Sequence, residues 1–183
     1  GTHSNMHGLV YDQRRTEFKK DLRESINNIE DVTGKKVISY RAPGFSLIKN
    51  CQWVFEELID AGIKFDCSIF PASRAHGGFK EFPYNTPTII KVGKSKIKEF
   101  PINTINFGWN SIVFSGGGYF RLLPYSFLYP LFKNSSYVMT YFHPRDFDKK
   151  QPIIKSLSHI RRFKSYYGIS SAFQKLEKLI SDF

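Results

Sequence analysis

The chain has 183 residues, with 27 Lys and Arg against 16 Asp and Glu, a net charge of +11 and 41% hydrophobic residues. That length suffices for one domain with its own core. No apolar run is long enough to span a bilayer, and Gly1 to Val10 lacks the basic start and apolar stretch of a signal peptide.

Thr16 to Thr33 reads as an amphipathic helix, with Phe18, Leu22, Ile26, Ile29 and Val32 at helical spacing and Lys19, Lys20, Arg23, Glu24 and Glu30 opposite. Gly34 is its stop. Val37 to Tyr40 is a short strand ending at Arg41, after which Pro43-Gly44 forces a turn. Gln52 to Ala61 is a second helix stopped by Gly62, and Ile63 to Phe65 a second strand ending at Asp66. Strand, helix and strand thus alternate with short links, which predicts parallel βα units with functional groups at the carboxyl ends of the strands.

Thr88 to Val92 and Ile97 to Pro101 are expected as two strands around Gly93-Lys94-Ser95-Lys96. Ser115-Gly116-Gly117-Gly118-Tyr119 reads as a flexible loop and a tight backbone passage. It is no phosphate loop, because it lacks the Gly-Lys-Ser/Thr ending. Pro124 to Phe132 is a short helix with Pro at its start. Tyr137 to Phe142 is an apolar strand delivering His143. Phe173 to Ile180 closes the chain as a helix with Phe173, Leu176, Leu179 and Ile180 on one face. The whole is expected to form a single domain, 1–183.

Charge divides unevenly. Residues 1–66 hold ten acids and ten bases, whereas residues 67–183 hold six acids and seventeen bases. Such a basic half suits an anionic polymer, or peripheral contact with membrane headgroups. With no helix-turn-helix, zinc-finger or RNP-like segment, sequence-specific nucleic-acid readout is not expected. Cys51 and Cys67 form no Cys-x-x-Cys pair and read as reduced, buried thiols, which fits a cytoplasmic setting. His76 and His159 are expected to face solvent.

Four segments carry chemistry. In Thr2-His3-Ser4-Asn5-Met6-His7, two imidazoles four positions apart come back to one side of a helical turn or tight loop and can face one metal ion. Such an ion polarises a carbonyl and lowers the pKa of bound water. Two histidines are an incomplete set, since zinc hydrolases usually use three protein ligands and a water. Tyr40-Arg41-Ala42-Pro43-Gly44-Phe45 places Arg41 to orient a carboxylate and the Gly44 N–H to serve an oxyanion. Asp66, in Asp66-Cys67-Ser68-Ile69-Phe70-Pro71, could hold an imidazolium by hydrogen bonding, or cap the following turn. His143, in Tyr141-Phe142-His143-Pro144, suits an acid that protonates a departing amine, or caps a strand.

Together these segments resemble the NodB-homology polysaccharide deacetylases, carbohydrate esterase family 4. His3 and His7 resemble the metal motif, Arg41-Ala42-Pro43 the Arg-x-Pro motif, Asp66 to Pro71 the motif whose Asp supports the catalytic His, and Phe142-His143-Pro144 the motif carrying that His. Leu9-Val10-Tyr11, Asp66 to Pro71, Gly116 to Tyr125, His143 to Asp148 and Gln151-Pro152 are similar to a branch tied to bacterial exopolysaccharide biosynthesis, which has a C-terminal extension called DUF3473. The extension is expected from about residue 115 onward.

The resemblance implies a distorted (β/α) barrel and a metal-dependent hydrolase that removes N-acetyl groups from amino sugars of a poly- or oligosaccharide. It implies a divalent metal, usually zinc, on His3 and His7. It makes His143 the acid, Asp66 its supporter, Arg41 the orienting cation and Gly44 an oxyanion donor. Family members carry paired acids before the His motif, the catalytic base and a third metal ligand. Here the chain begins at the His motif, so the barrel is expected to be incomplete at its N-terminus, and the chain to be a fragment or a degenerate member. Asp12 and Asp21 follow the His pair and are poor stand-ins. The alternatives are a non-catalytic carbohydrate-binding relative and a generic polyanion binder.

Overall fold

The apolar stripe of the first helix sets the packing of the N-terminal half. Helix α1, Arg15–Thr33, buries Phe18, Leu22 and Ile26, and each such side chain contributes about 1.5–3 kcal/mol. At its start the Glu17 carboxylate accepts the Arg14 N–H at 2.9 Å. At its end Gly34, at φ 65°, donates to the Glu30 carbonyl, a left-handed stop that costs glycine no steric strain. Ile29 packs on the core, but Val32 is exposed, because the chain from Asp31 to Lys36 projects into solvent.

The computed structural model describes residues 1–74, 77–107 and 110–183. The expectation for His76 therefore lies outside the described residues. The chain divides into two compact units, Gly1–Ile112 and Val113–Phe183.

In the first unit, β1 (Ser39–Tyr40), β2 (Phe65–Asp66), β3 (Thr88–Val92) and β4 (Ser95–Glu99) form one sheet in the order β1-β2-β4-β3. β1, β2 and β4 run parallel, and β3 is antiparallel to β4. Thr2 extends the parallel set as a single bridge to Tyr40. It donates to the Ser39 carbonyl at 2.8 Å and accepts from the Arg41 N–H at 3.1 Å. Helix α2, Val54–Asp60, links β1 to β2. The first two strands are shorter than expected, and the hairpin is tighter. Its turn is Gly93-Lys94, since Val92 pairs with Ser95, and Gly93 at φ 57° supplies the left-handed backbone. β4 stops before Pro101, which has no N–H for the ladder. A second hairpin, β5 (Ile105–Phe107) with β6 (Asn110–Ile112), was not anticipated. The core gathers Val10, Phe18, Leu22, Leu47, Leu58 and Ile97, and Phe18 sets its ring edge-on to Tyr40 and Trp53. This is a mixed α/β fold with a mainly parallel sheet.

The second unit is helical: α3 (Gly117–Leu122), α4 (Tyr125–Lys133), α5 (His159–Tyr166) and α6 (Ile169–Asp182). The glycine run is a helix start, not a flexible loop. A Cβ on Gly116 would meet the Tyr141 ring, and one on Gly117 the Asp146 carboxylate. The expected strand Tyr137 to Phe142 is reduced to one bridge, Tyr141 to Gly116.

Helix α6 turns inward a face that only partly overlaps the expected one, sharing with it buried Leu179 and half-buried Leu176. Ile169, Ala172 and Leu179 are buried, while Phe173 and Ile180 are exposed. Lys175 decides the rotation. Its ammonium donates to the carbonyls of Phe120, Arg121 and Leu123 at the end of α3, and Ala172 and Leu179 lie three and four residues either side of it on the same face.

Candidate functional site

The parallel strands of the first unit deliver the candidate residues at their carboxyl ends. His3 follows Thr2, Arg41 follows β1, Cys67 and Ser68 follow β2, and Asp66 and Glu99 are the last residues of β2 and β4. Asp66 pairs in register with Tyr40 on one side and Glu99 on the other.

His3 and His7 stand together, with ring centroids 5.0 Å apart and planes at 74°. The segment between them is a loop, not a helical turn, with Ser4 at φ 73° and His7 at φ 55°. Asp21 holds that loop: its two carboxylate oxygens accept the N–H groups of Asn5 at 3.0 Å and Met6 at 2.8 Å. His3 Nδ1 lies 2.7 Å from the Arg41 carbonyl oxygen. A carbonyl can only accept, so Nδ1 donates, and in the neutral ring Nε2 is then the acceptor nitrogen, the tautomer that suits a metal ligand.

The two imidazoles could supply a divalent ion with at most two protein ligands. Among the described residues, no group of three His, Cys, Asp or Glu side chains could hold a metal. Asp21 is engaged with the loop, and Asp12 ends a 3₁₀ turn as an exposed residue.

The first unit also buries two carboxyl groups. Asp66 and Glu99 are both fully buried. Asp66 Oδ1 accepts the Ser68 hydroxyl at 2.5 Å, and Ser68 Oγ accepts the Ala42 N–H at 2.8 Å. Glu99 Oε1 accepts the Ile69 N–H at 3.1 Å. The remaining oxygens, Asp66 Oδ2 and Glu99 Oε2, have no hydrogen-bond partner, and the two carboxyl groups, on paired residues of β2 and β4, each bear on the other's ionisation. Two buried carboxylates in contact cannot both ionise, so the pair holds a proton. Burial raises both pKa values. The Asp66 charge pushes Glu99 well above the usual carboxylate range, whereas Glu99, Ser68 and the N–H groups of Cys67 and Ser68 favour charge on Asp66. Glu99 is thus the protonated partner.

Arg41 donates from Nε to the Cys67 carbonyl at 3.2 Å, and its guanidinium lies 5.5 Å from the Phe45 ring centroid. Gly44 is an exposed residue at φ 61° in the turn Pro43–Phe45, and its carbonyl accepts from Arg74 at 2.9 Å. Cys51 is buried and Cys67 half-buried, both as free thiols. Burial raises both, and the Asp66 charge adds to the rise at Cys67.

His143 belongs to the second unit. Its side chain is 60% exposed, with Nδ1 3.7 Å from Asp146 Oδ2, too long for a hydrogen bond. Its backbone N–H donates to the same oxygen at 2.9 Å. Asp146 is buried and ion-paired with the buried Arg121 at 3.1 Å. The structure thus brings together His3, His7, Arg41, Gly44 and Asp66 within one unit, and sets His143 beside Asp146 in the other.

Sequence reading missed Glu99, Ser68, Asp146 and Arg121. Strand parity could have found Glu99, because alternation puts it on the same face as the core residue Ile97.

These features define a mixed α/β chain whose parallel strands gather His, Arg and buried carboxyl groups at one end. The family described as "Domain of unknown function (DUF3473)" matches residues 67–183, and the chain belongs to it. No curated protein matches the chain. Among solved structures it is similar to one described as "Crystal structure of putative polysaccharide deacetylase from Mycobacterium smegmatis", at 20% identity with a TM-score of 0.45, over 55% of this chain and 30% of that chain.

Proposed function

We propose that this chain is part of a metal-dependent N-deacetylase acting on amino sugars of a bacterial poly- or oligosaccharide, of the NodB-homology class and its exopolysaccharide branch. The observation that carries the reading is the His3–His7 pair, with the His3 tautomer set by the Arg41 carbonyl. A distorted barrel, with this sheet as one part, belongs to the same reading.

In the reaction, water and an acetamide give a free amine and acetate. His3 and His7 would hold a divalent metal, zinc by preference, which would supply carbonyl polarisation and a more acidic water. The Gly44 N–H serves as oxyanion donor. Arg41 holds the His3 ring through its backbone carbonyl, and its guanidinium would orient a catalytic carboxylate. The family resemblance gives Asp66 the role of supporting carboxylate and His143 that of the acid for the departing amine; within its own unit His143 stands beside Asp146.

The test is acetate release from N-acetylated oligosaccharides with added zinc, by this chain and by a version extended upstream in its gene. Activity in the extended chain, lost in His3→Ala and His7→Ala, is the expected result. The second reading, a non-catalytic carbohydrate-binding relative, is favoured by the lack of a third ligand group among the described residues. It predicts oligosaccharide binding with no acetate from either version.

A further inference from the structure

Residues 149–166 contain Lys149, Lys150, Lys155, Arg161, Arg162 and Lys164 and no Asp or Glu. The same stretch exposes large apolar side chains: Ile153 at 55%, Ile154 at 54%, Ile160 at 70% and Phe163 at 52%. Helix α5 buries none of its residues. Its Ile160 and Phe163, three apart, share a face flanked by Arg161, Arg162 and Lys164.

This surface is built. The Tyr166 hydroxyl accepts the Ile154 N–H at 2.8 Å and donates to the Pro152 carbonyl at 3.0 Å, which ties the loop carrying Ile153 and Ile154 to α5. Arg121 donates to the carbonyls of Lys164, Ser165 and Tyr167 at 2.8–3.0 Å, which fastens the last turn of α5 from inside. Apolar side chains are thus held outward by these bonds, amid cations that outnumber the one adjacent exposed acid, Asp148.

We infer that this face docks the protein on an anionic lipid bilayer, with α5 lying in the interface and Ile153, Ile154, Ile160 and Phe163 entering the headgroup region. Charge complementarity selects an anionic surface. The apolar side chains select a bilayer over a hydrated polyanion, because only the bilayer removes them from water.

The test is co-sedimentation of the chain with phosphatidylglycerol/phosphatidylcholine vesicles near physiological salt, against pure phosphatidylcholine vesicles. Binding is expected to the anionic vesicles alone. Arg161→Gln with Arg162→Gln should weaken it roughly thirtyfold, and Ile160→Ser with Phe163→Ser roughly tenfold or more. Lys91→Gln with Lys96→Gln, an equal charge change on exposed positions of the first unit's hairpin, should leave it unchanged. Phe163→Trp should show a blue-shifted emission component on vesicle addition. Absence of binding, equal loss in the hairpin control, or full binding by the Ile160/Phe163 variant would each overturn the inference.

Discussion

The two units place their ionisable groups differently. The first places acids in its interior: Asp66 and Glu99 are fully enclosed, and the buried Glu57 is paired with Arg15 and Lys19. The second sets cations against helix ends. Arg121 collects three carbonyls at the end of α5 and pairs with Asp146, and Lys175 collects three at the end of α3. The difference follows from architecture. Helix carboxyl ends expose unsatisfied carbonyls and a negative dipole, which a cation satisfies. Carboxyl ends of short parallel strands leave N–H groups such as that of Ile69, which a carboxylate satisfies. The first arrangement creates a place that holds and shares protons. The second stiffens a surface.

The comparison breaks most visibly at Arg121. Arg121→Met leaves the buried Asp146 carboxylate uncompensated and three carbonyls without their donor. It is expected to cost the second unit about 3–5 kcal/mol in denaturant unfolding, with hydrogen exchange of α5 amides rising first. A loss below 1 kcal/mol would mean that the buried cation is dispensable.

Gly117→Ala probes the same place from the backbone. Its Cβ falls on the Asp146 carboxylate, so a loss of about 1–3 kcal/mol is expected. Gly118→Ala is the control, because a Cβ there meets nothing within 4 Å. Equal effects would show that the close approach at Gly117 is not what matters.

The acid pair is sharpened by pH. Folded Glu99 keeps a proton that the unfolded chain releases above about 4.5. Its contribution to stability is present below that pH and is lost as pH rises toward the elevated folded value, at about 1.4 kcal/mol per pH unit. Glu99→Gln keeps a donor to Asp66 without a titrating proton. Its stability should match or exceed that of the parent at pH 8, with the difference shrinking toward pH 4. Parallel pH profiles for the two proteins would show that Glu99 is not the proton carrier.

The smallest effect is expected at Asp21. Asp21→Asn removes charge from two hydrogen bonds to the His loop and should cost about 1 kcal/mol or less. If the loop is what holds the two imidazoles together, zinc affinity should fall more than stability does.

Much of the first unit was legible. The period of α1, its glycine stop and the strand-end positions of Arg41 and Asp66 follow from local pattern, and local pattern survives folding. The second unit was harder for a physical reason. Its last helix carries two overlapping apolar stripes, and the choice between them is made by Lys175 reaching carbonyls more than fifty residues earlier. The glycine run looked like freedom but is a response to Tyr141 and Asp146, which sequence order does not place beside it. At the candidate site the His pair and Asp66 could be read from spacing and strand ends. The proton-sharing partner Glu99 could not be assigned without the register that sets it opposite Asp66.

The central claim is tested most directly by calorimetric titration of zinc into the chain, the His3→Ala and His7→Ala variants, and a His159→Ala control. The account predicts that each of the first two substitutions weakens binding at least about tenfold, since loss of a hydrogen-bond partner behind a ligand alone costs that much, and that the control does not. Equal affinity in all four proteins would contradict the assignment of His3 and His7 as metal ligands.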